Sequence, residues 1–281
     1  ADLDLAIGAE RIITETETLG DLVSKVKLQN GRYHSSSSIA GVMGGRIGGE
    51  LDIDAATQPP SIRIRLDAKD LDYRFLQQPP QNSDLIKGSV DLYVRLSGAG
   101  DTMRSLLGNA DGRVTVIGGP SRISGRRLDL WAADLIPTML SPRWQRENVT
   151  EMNCIAAKIE LKQGIAKLES LILDTQRITI TGSGTLNLET EALDLNLAPR
   201  PKRPSLVSLA NPVTIRGTLA KPDVSVAQLP SRRRLLRTGL LAGLINPAFL
   251  LIAFSDTGTG VANPCGAAIE RAYEAAEIDA R

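Results

Sequence analysis

Apolar and polar residues alternate along most of this chain, and the alternation is strictest between Leu171 and Leu197. A repeat of two is the period of a β-strand, whose successive side chains point to opposite faces of the sheet. Three such runs follow one another with almost no connecting chain, which predicts consecutive antiparallel strands. Gly182 and Gly184 share the parity of the apolar residues, and glycines inside a strand mark bends. We therefore expect a one-sided sheet that curls.

The lengths of the two connections suggest a register for this meander. A turn over Asp174 to Arg177 would place Leu173 opposite Ile178, and the next turn would place Leu188 opposite Leu193. One face is then apolar throughout, and the other carries threonine, serine, asparagine and aspartate, which suits water. The apolar face would comprise Leu171, Leu173, Ile178, Ile180, Leu186, Leu188, Leu193 and Leu195.

The rest of the chain repeats the same pattern of strand, turn and strand. Alternation predicts further strands at 3–7, 22–28, 62–66, 90–96, 113–117, 153–161 and 165–173, a polar strand at 32–39, and a last pair within 213–226 that turns at Lys221-Pro222. Short helices are expected at 70–78, at 101–107 capped by Asp101, and at 126–140. Residues 199–204 are rich in proline and basic residues, which excludes a central strand.

The predicted fold class is mainly β with short helices (α+β). It is an elongated, curled antiparallel β-groove sheet closed by C-terminal helices. Three segments follow from the pattern: 1–143 as a β-groove segment with short inserted helices, 144–230 as a β-meander, and 231–281 as an apolar and amphipathic helical tail packed on the groove end. The last part of the tail, 266–281, has the pattern of an amphipathic helix.

The tail begins with a basic cluster formed by Arg232, Arg233, Arg234 and Arg237, followed by an uncharged apolar run. A membrane span needs about 20 apolar residues. This run is shorter and contains Asn246-Pro247, so helices that cover the apolar end of the sheet are favoured over insertion at a membrane surface. The four arginines fit two roles equally well, contact with anionic lipid head groups or a solvated helix start.

Charge and aromatic content argue against nucleic acid as a partner. Lys plus Arg is 33 and Asp plus Glu is 32, and aromatic residues make up only 3% of the chain. A nucleic-acid-binding protein would show a basic excess and aromatic stacking residues. Cys154 and Cys265 lie far apart and belong to no metal-binding motif, so we expect no metal or cofactor. From the sequence alone, a disulfide bond between these two cysteines and two separate buried thiols are equally favoured.

The sequence contains little that supports an enzymatic activity. His34 is the only histidine, it lies in a predicted serine-rich strand, and no nucleophile partner can be assigned to it from the sequence. A structural or solvent-exposed histidine is the simpler interpretation. We therefore expect a protein that is not an enzyme.

Several segments resemble the AsmA family. These are Leu96 to Leu107 (LSGAGDTMRSLL), Asn153-Cys154, Asp174-Thr175, Gly182-Ser183-Gly184 and Asn263-Pro264-Cys265. The resemblance is more specific in the C-terminal part of the chain and looser in the N-terminal half.

The resemblance implies a bacterial protein that faces the periplasm and is anchored in the inner membrane by a helix upstream of Ala1. Because Ala1 is not a methionine, we also expect that an N-terminal segment has been removed. The resemblance further implies a disulfide between Cys154 and Cys265, since the periplasm is oxidising. The implied function is to bind or conduct phospholipids between the inner and outer membranes, supporting outer-membrane lipid homeostasis. The alternative is a scaffold or assembly factor that pairs with an envelope protein through a sheet edge.

An apolar sheet face is physically suited to phospholipid or another acyl lipid as a partner. The eight residues of the predicted apolar face would then line the lipid groove. The same residues could instead pack beneath helices as a closed core, and for any single residue this is the simpler interpretation.

Overall fold

A computed structural model describes residues 2–14, 18–72, 88–124, 149–176, 178–202, 212–226 and 264–278. The predicted helix at 126–140, the arginine cluster at 232–237 and the apolar run after it lie outside these residues. So do both boundaries between the predicted segments, at 143/144 and 230/231, which stay predictions.

The described residues form one open antiparallel sheet of 14 strands with two helices. The first eight strands are β1 (Leu3–Ile13), β2 (Thr18–Gln29), β3 (Arg32–Val42), β4 (Gly45–Asp54), β5 (Ser61–Asp72), β6 (Ser89–Ala99), β7 (Asp111–Gly118) and β8 (Ser121–Ser124). The other six are β9 (Val149–Lys162), β10 (Ile165–Thr175), β11 (Ile178–Asn187), β12 (Ala192–Pro201), β13 (Val213–Thr218) and β14 (Lys221–Val226). The helices are α1 (Met103–Gly108) and α2 (Pro264–Ile278).

The main path of the sheet runs from β1 to β7 and then from β9 to β14, and strands that are neighbours in this order are hydrogen-bonded. Strand β8 is not in this path and pairs only with β9 among the described strands. This order makes a long meander, as the repeated alternation predicts, and the sheet does not close into a barrel. The predicted fold class is confirmed: the chain is mainly antiparallel β with short helices, and the open sheet is consistent with a curled groove.

The predicted register of the meander is wrong by two residues at both turns. Leu173 pairs with Ile180, not with Ile178, and Leu193 pairs with Leu186, not with Leu188. The first connection is widened by Thr175, whose Oγ1 donates to the Ile178 carbonyl and accepts from its N–H. At the second connection, Asn187 Oδ1 accepts backbone N–H groups from residues 189 and 190. Because each shift is an even number, every side chain stays on its predicted face.

Several local predictions also need correction. Residues 70–72 continue β5 and are not the start of a helix, while 73–78 lie outside the described residues. Helix α1 is capped by Thr102, not by Asp101: the Thr102 and Ser105 side chains accept each other's backbone N–H at 3.1 Å, a capping box. The last hairpin turns at 219–220, and Lys221-Pro222 opens β14.

Proline enters β12 where one side of that strand lacks a described neighbour. Pro199 and Pro201 pair with Ile180 and Ile178 of β11, whereas the described ladder between β12 and β13 ends at the pair Leu197 and Val213. A proline cannot donate to a ladder, so it is tolerated where the strand is locally an edge. Residues 199–201 thus extend β12 instead of forming a connector, but among the described strands they pair on one side only, in agreement with the prediction that they cannot be a central strand.

Candidate functional site

One face of the sheet is apolar along the main path from β4 to β14, whereas serines of β2 and β3 interrupt it near β1. The residue pairs that define the ladders connect one continuous row with a residue from each strand: Ile7, Ser24, Ser37, Gly49, Leu66, Val94, Val114, Ile159, Leu168, Gly184, Leu195, Ile215 and Val224. Residues paired across a ladder share a face of the sheet. We call the face that carries this row the apolar face, and the opposite one the polar face.

The parallel rows on the apolar face are of the same kind. One of them runs through Leu5, Val26, Ser35, Leu51, Ile64, Leu96, Gly112, Leu161, Ala166, Leu186 and Leu193. Another contains Ala68, Leu92, Val116, Ala157, Leu171, Gly182, Leu197 and Val213. Alternation within single strands thus becomes a continuous apolar surface from β4 to β14 once the register is set.

The eight predicted lining residues lie on or beside this face. Leu171, Leu173, Ile180, Leu186, Leu188, Leu193 and Leu195 are half-buried. Ile178 differs, since only 2% of it is exposed. A closed core would bury the whole set, whereas these seven side chains keep contact with solvent. The lipid-lining role itself stays a prediction.

Helix α1 covers one end of the apolar face. It approaches β6 at Gly98, where a Cβ atom would lie 2.8 Å from the Leu106 carbonyl oxygen. Glycine at this position therefore lets the helix backbone come close. Directly after the helix, Ala110 forms a buried cluster with Leu161 and Ala166. Five partly buried side chains pack against this cluster: Leu96, Val114, Ile159, Leu186 and Leu188. These contacts give the groove a defined apolar end.

Helix α2 packs on the polar face, against strands β7, β9 and β10. Its Ala272 and Ile269 contact Tyr93 and Ile117, whose parity in the strands is opposite to that of the apolar rows. The Tyr273 hydroxyl donates to Asp91 Oδ2 at 2.8 Å, and the Tyr273 and Tyr93 rings meet edge to face with centroids 6.3 Å apart. Burial, followed by the nearby charge of Asp91, raises the pKa of Tyr93 to about 12.

A disulfide between Cys154 of β9 and Cys265 anchors α2 to the sheet. This is the pairing that the family resemblance implied. Both cysteines are buried, at 0% and 4% exposure. The bond joins positions 111 residues apart, so it fixes the C-terminal helix to the centre of the meander.

A buried carboxylate, Asp174, lies beside the disulfide. Its oxygens accept from Asn153 Nδ2 at 2.7 Å, Lys202 Nζ at 2.8 Å and Thr179 Oγ1 at 2.5 Å. Burial alone would raise the pKa of Asp174, but these hydrogen bonds outweigh it and hold the pKa below its usual value. The segments that carried the family resemblance thus build the socket for α2. The sequence analysis missed this role, because Asp174 has the parity of the polar face and was assigned to a turn.

His34 lies on the polar face and is half exposed. Its Nδ1 is 2.7 Å from Asp52 Oδ1, and the exposed side-chain fractions are 50% and 40%. The sequence analysis expected a solvent-exposed histidine but missed this carboxylate partner. Among the described residues no group of three or more His, Cys, Asp or Glu side chains is arranged to hold a metal ion.

The described helices include none that is both long and apolar enough to cross a membrane.

The AsmA family model matches residues 1–171. The chain belongs to the AsmA family. The match covers the N-terminal half, in which the sequence resemblance was the looser one, and ends within β10. AsmA family proteins are associated with the bacterial envelope, so this AsmA family member is an envelope-related protein.

A curated relative extends the similarity further along the chain. The AsmA family protein YhjG of Escherichia coli (strain K12) is 25% identical over 247 residues, which is 88% of this chain and 36% of YhjG. This AsmA family member therefore spans about a third of the length of that relative. No solved structure matches the chain.

Proposed function

We propose that this chain is a non-enzymatic, periplasmic part of an envelope protein, whose apolar face binds and conducts phospholipids between the inner and outer membranes. The proposal depends on one observation: from β4 to β14 the rows of the apolar face contain no polar side chain, and seven of the eight predicted lining residues are half-buried. In the full-length protein we propose an inner-membrane anchor, which family membership supports. The disulfide fits an oxidising compartment such as the periplasm.

The dimensions of the apolar face suit an acyl chain. Moving one tail of about 16 methylenes through water costs on the order of 12 kcal/mol, at ~0.8 kcal/mol per methylene. Neighbouring strands lie about 4.8 Å apart, so the main path of strands extends roughly 58 Å along the row. An extended tail would lie against several strands at once, while its head group stayed in solvent.

Lipid mass spectrometry of the protein purified gently from an oxidising compartment tests this proposal. Phospholipid in roughly stoichiometric amounts is the expected result. A photo-crosslinking residue at Leu195, on the apolar face, should label the lipid, whereas the same residue at Asp194, on the polar face, should not. Equal labelling from both positions, or a lipid-free protein, would contradict lipid conduction.

A second candidate function, an assembly scaffold, is favoured by the contrast between the two outer strands. Strand β14 has six residues, including Pro222, Lys221 and Asp223, which discourage pairing with other chains. Strand β1 has eleven residues without proline or lysine, and Leu3, Leu5 and Ile7 are 42–49% exposed. In the described part of the chain nothing pairs with the outer side of β1. A strand from an envelope protein could extend the sheet there.

The scaffold function predicts a protein partner and no lipid. Replacing Gly8 in the middle of β1 with proline should abolish co-purification of such a partner while leaving lipid occupancy unchanged. If the variant loses lipid and retains the partner, the scaffold proposal is wrong.

A further inference from the structure

Three arginines stand side by side on the polar face. Arg65 of β5 pairs with Arg95 of β6, and Arg95 pairs with Arg113 of β7. Adjacent strands are about 4.8 Å apart, and like charges directly opposite each other destabilise a sheet. Within the row itself carboxylates stand only at the ends, with Glu50 opposite Arg65 and Glu160 opposite Arg113. At the centre, Arg95 has an arginine on each side, and its ion pair is with Asp67, two residues further along β5.

Arg95, at the centre, is fixed in place but incompletely hydrogen-bonded. Only 16% of its side chain is exposed, and its Nη1 lies 2.6 Å from Asp67 Oδ1. The same nitrogen donates to the carbonyls of Leu66 and Val94, at 3.1 Å and 3.0 Å. Its Nε is buried without an acceptor, and Asp67 Oδ1 lacks a well-aligned hydrogen bond despite its short ionic contact. The guanidinium is thus held rigidly in place.

A shallow cavity of about 460 Å³ lies beside this row. Its charged lining comprises five basic residues, Arg63, Arg65, Arg95, Arg113 and Lys162, and two acidic residues, Asp111 and Glu160. Asp111 Oδ1 already accepts the Gln163 N–H at 2.9 Å, and Arg65 Nη1 donates to Glu50 at 3.0 Å. Arg63 and Lys162 make no ion pair with any described residue. The cavity therefore carries positive charge that the described carboxylates only partly neutralise.

We propose that this cavity binds a phosphate group. A guanidinium presents a planar fork of donors that matches two oxygens of a phosphate, and several such forks can share one doubly charged anion. The cavity is larger than a phosphate and open to solvent, so it can accept the group free or attached to a larger molecule. It lies on the polar face, so the proposal does not depend on lipid binding by the apolar face.

The two sources of a phosphate group are a soluble anion and the head group of a phospholipid bilayer. Isothermal titration calorimetry with inorganic phosphate reports the first, and co-sedimentation with phosphatidylglycerol vesicles reports the second. Both are run at about 0.15 M ionic strength, where distant surface charges are screened beyond about 8 Å.

The variant to use is Arg63→Gln with Lys162→Gln, because neither side chain makes an ion pair with a described residue whose loss would disturb the fold. Arg200→Gln with Lys221→Gln is the matched control, since it removes the same charge from two other polar-face side chains that make no ion pair with a described residue. We expect the cavity variant to weaken binding of one or both probes about tenfold, the loss of about one charge-assisted hydrogen bond, and the control to leave binding unchanged.

Each outcome decides between the alternatives. A tenfold loss for inorganic phosphate supports a soluble ligand, and a loss seen only with vesicles supports a lipid head group. Equal losses in the cavity and control variants, or no binding of either probe by the unmodified chain, would overturn the proposal.

Discussion

Lys202 Nζ lies 2.8 Å from Asp174 Oδ2, and this contact joins the end of β12 to the end of β10 across β11. The carboxylate is 2% exposed, whereas the lysine side chain retains 34% exposure. The pair connects the meander to the disulfide that holds α2.

Lys202→Met should destabilise the protein by about 2 kcal/mol, because it leaves a buried carboxylate without its cation. We expect a smaller loss of unfolding free energy than for a fully buried ion pair because water still reaches Lys202. Urea denaturation gives the free energy of unfolding. The control is Arg216→Gln, which breaks an exposed pair with Asp194 and should cost less than about 0.5 kcal/mol. Equal losses would show that burial of Asp174 adds nothing.

The stability that Asp174 contributes should depend on pH. Its pKa in the folded protein is lowered, relative to about 3.9 for an unfolded aspartate. The contribution is therefore fully present above the unfolded pKa and is lost as the pH falls through the folded one. Unfolding free energies of the wild type and Asp174→Asn between pH 7 and pH 2 should differ most near neutrality and converge in acid. A constant difference would contradict this assignment.

Reduction of the disulfide should release α2 and leave the sheet folded. The bond closes a long loop, since its cysteines are 111 positions apart, so its loss should cost about 4–5 kcal/mol. Hydrogen exchange with reductant should show loss of protection across 264–278 while β9 and β10 stay protected. Reductant should change nothing in a variant that carries both Cys154→Ala and Cys265→Ala. Full protection of 264–278 after reduction would show that packing alone holds the helix.

Gly98→Ala should displace α1 from the end of the apolar face. The added Cβ would lie 2.8 Å from the Leu106 carbonyl oxygen, so the helix must shift, at about 1–2 kcal/mol. Gly119→Ala is the matched control, because a Cβ there meets nothing within 4 Å. The midpoint of thermal unfolding should be lower for Gly98→Ala than for Gly119→Ala. Similar midpoints would mean that α1 is not closely packed on β6.

Leu195→Glu should lower lipid occupancy about tenfold, because a carboxylate on the apolar face would have to be desolvated against an acyl chain. Asn196→Glu places the same group on the polar face of the same strand, where Asn196 accepts from Thr214 Oγ1 at 3.1 Å, and should retain lipid. Mass spectrometry of both purified variants measures the ratio. Unchanged occupancy in Leu195→Glu would show that any bound lipid lies elsewhere.

The sequence by itself determined the strands and the face on which each side chain lies. Alternation is a local property of each strand, and an even shift of register leaves every side chain on the same face of the sheet. The apolar face could therefore be predicted correctly from Leu171 to Leu195 although both predicted turns were wrong. Cys154 and Cys265 were paired only through the family resemblance, since spacing alone left two thiols as an equal alternative.

Only the tertiary structure decided which residues meet between distant strands. Side-chain hydrogen bonds at Thr175 and Asn187 set the turns, and alternation carries no information about them. The socket at Asp174 gathers Asn153, Thr179 and Lys202 from separate strands, and the arginine row at Arg95 exists only because the ladders align. The tail was predicted to pack on the groove end, whereas its described helix α2 packs against Tyr93 and Ile117 on the polar face. Such contacts depend on how strands pair and helices dock, and this is a property of the whole sheet.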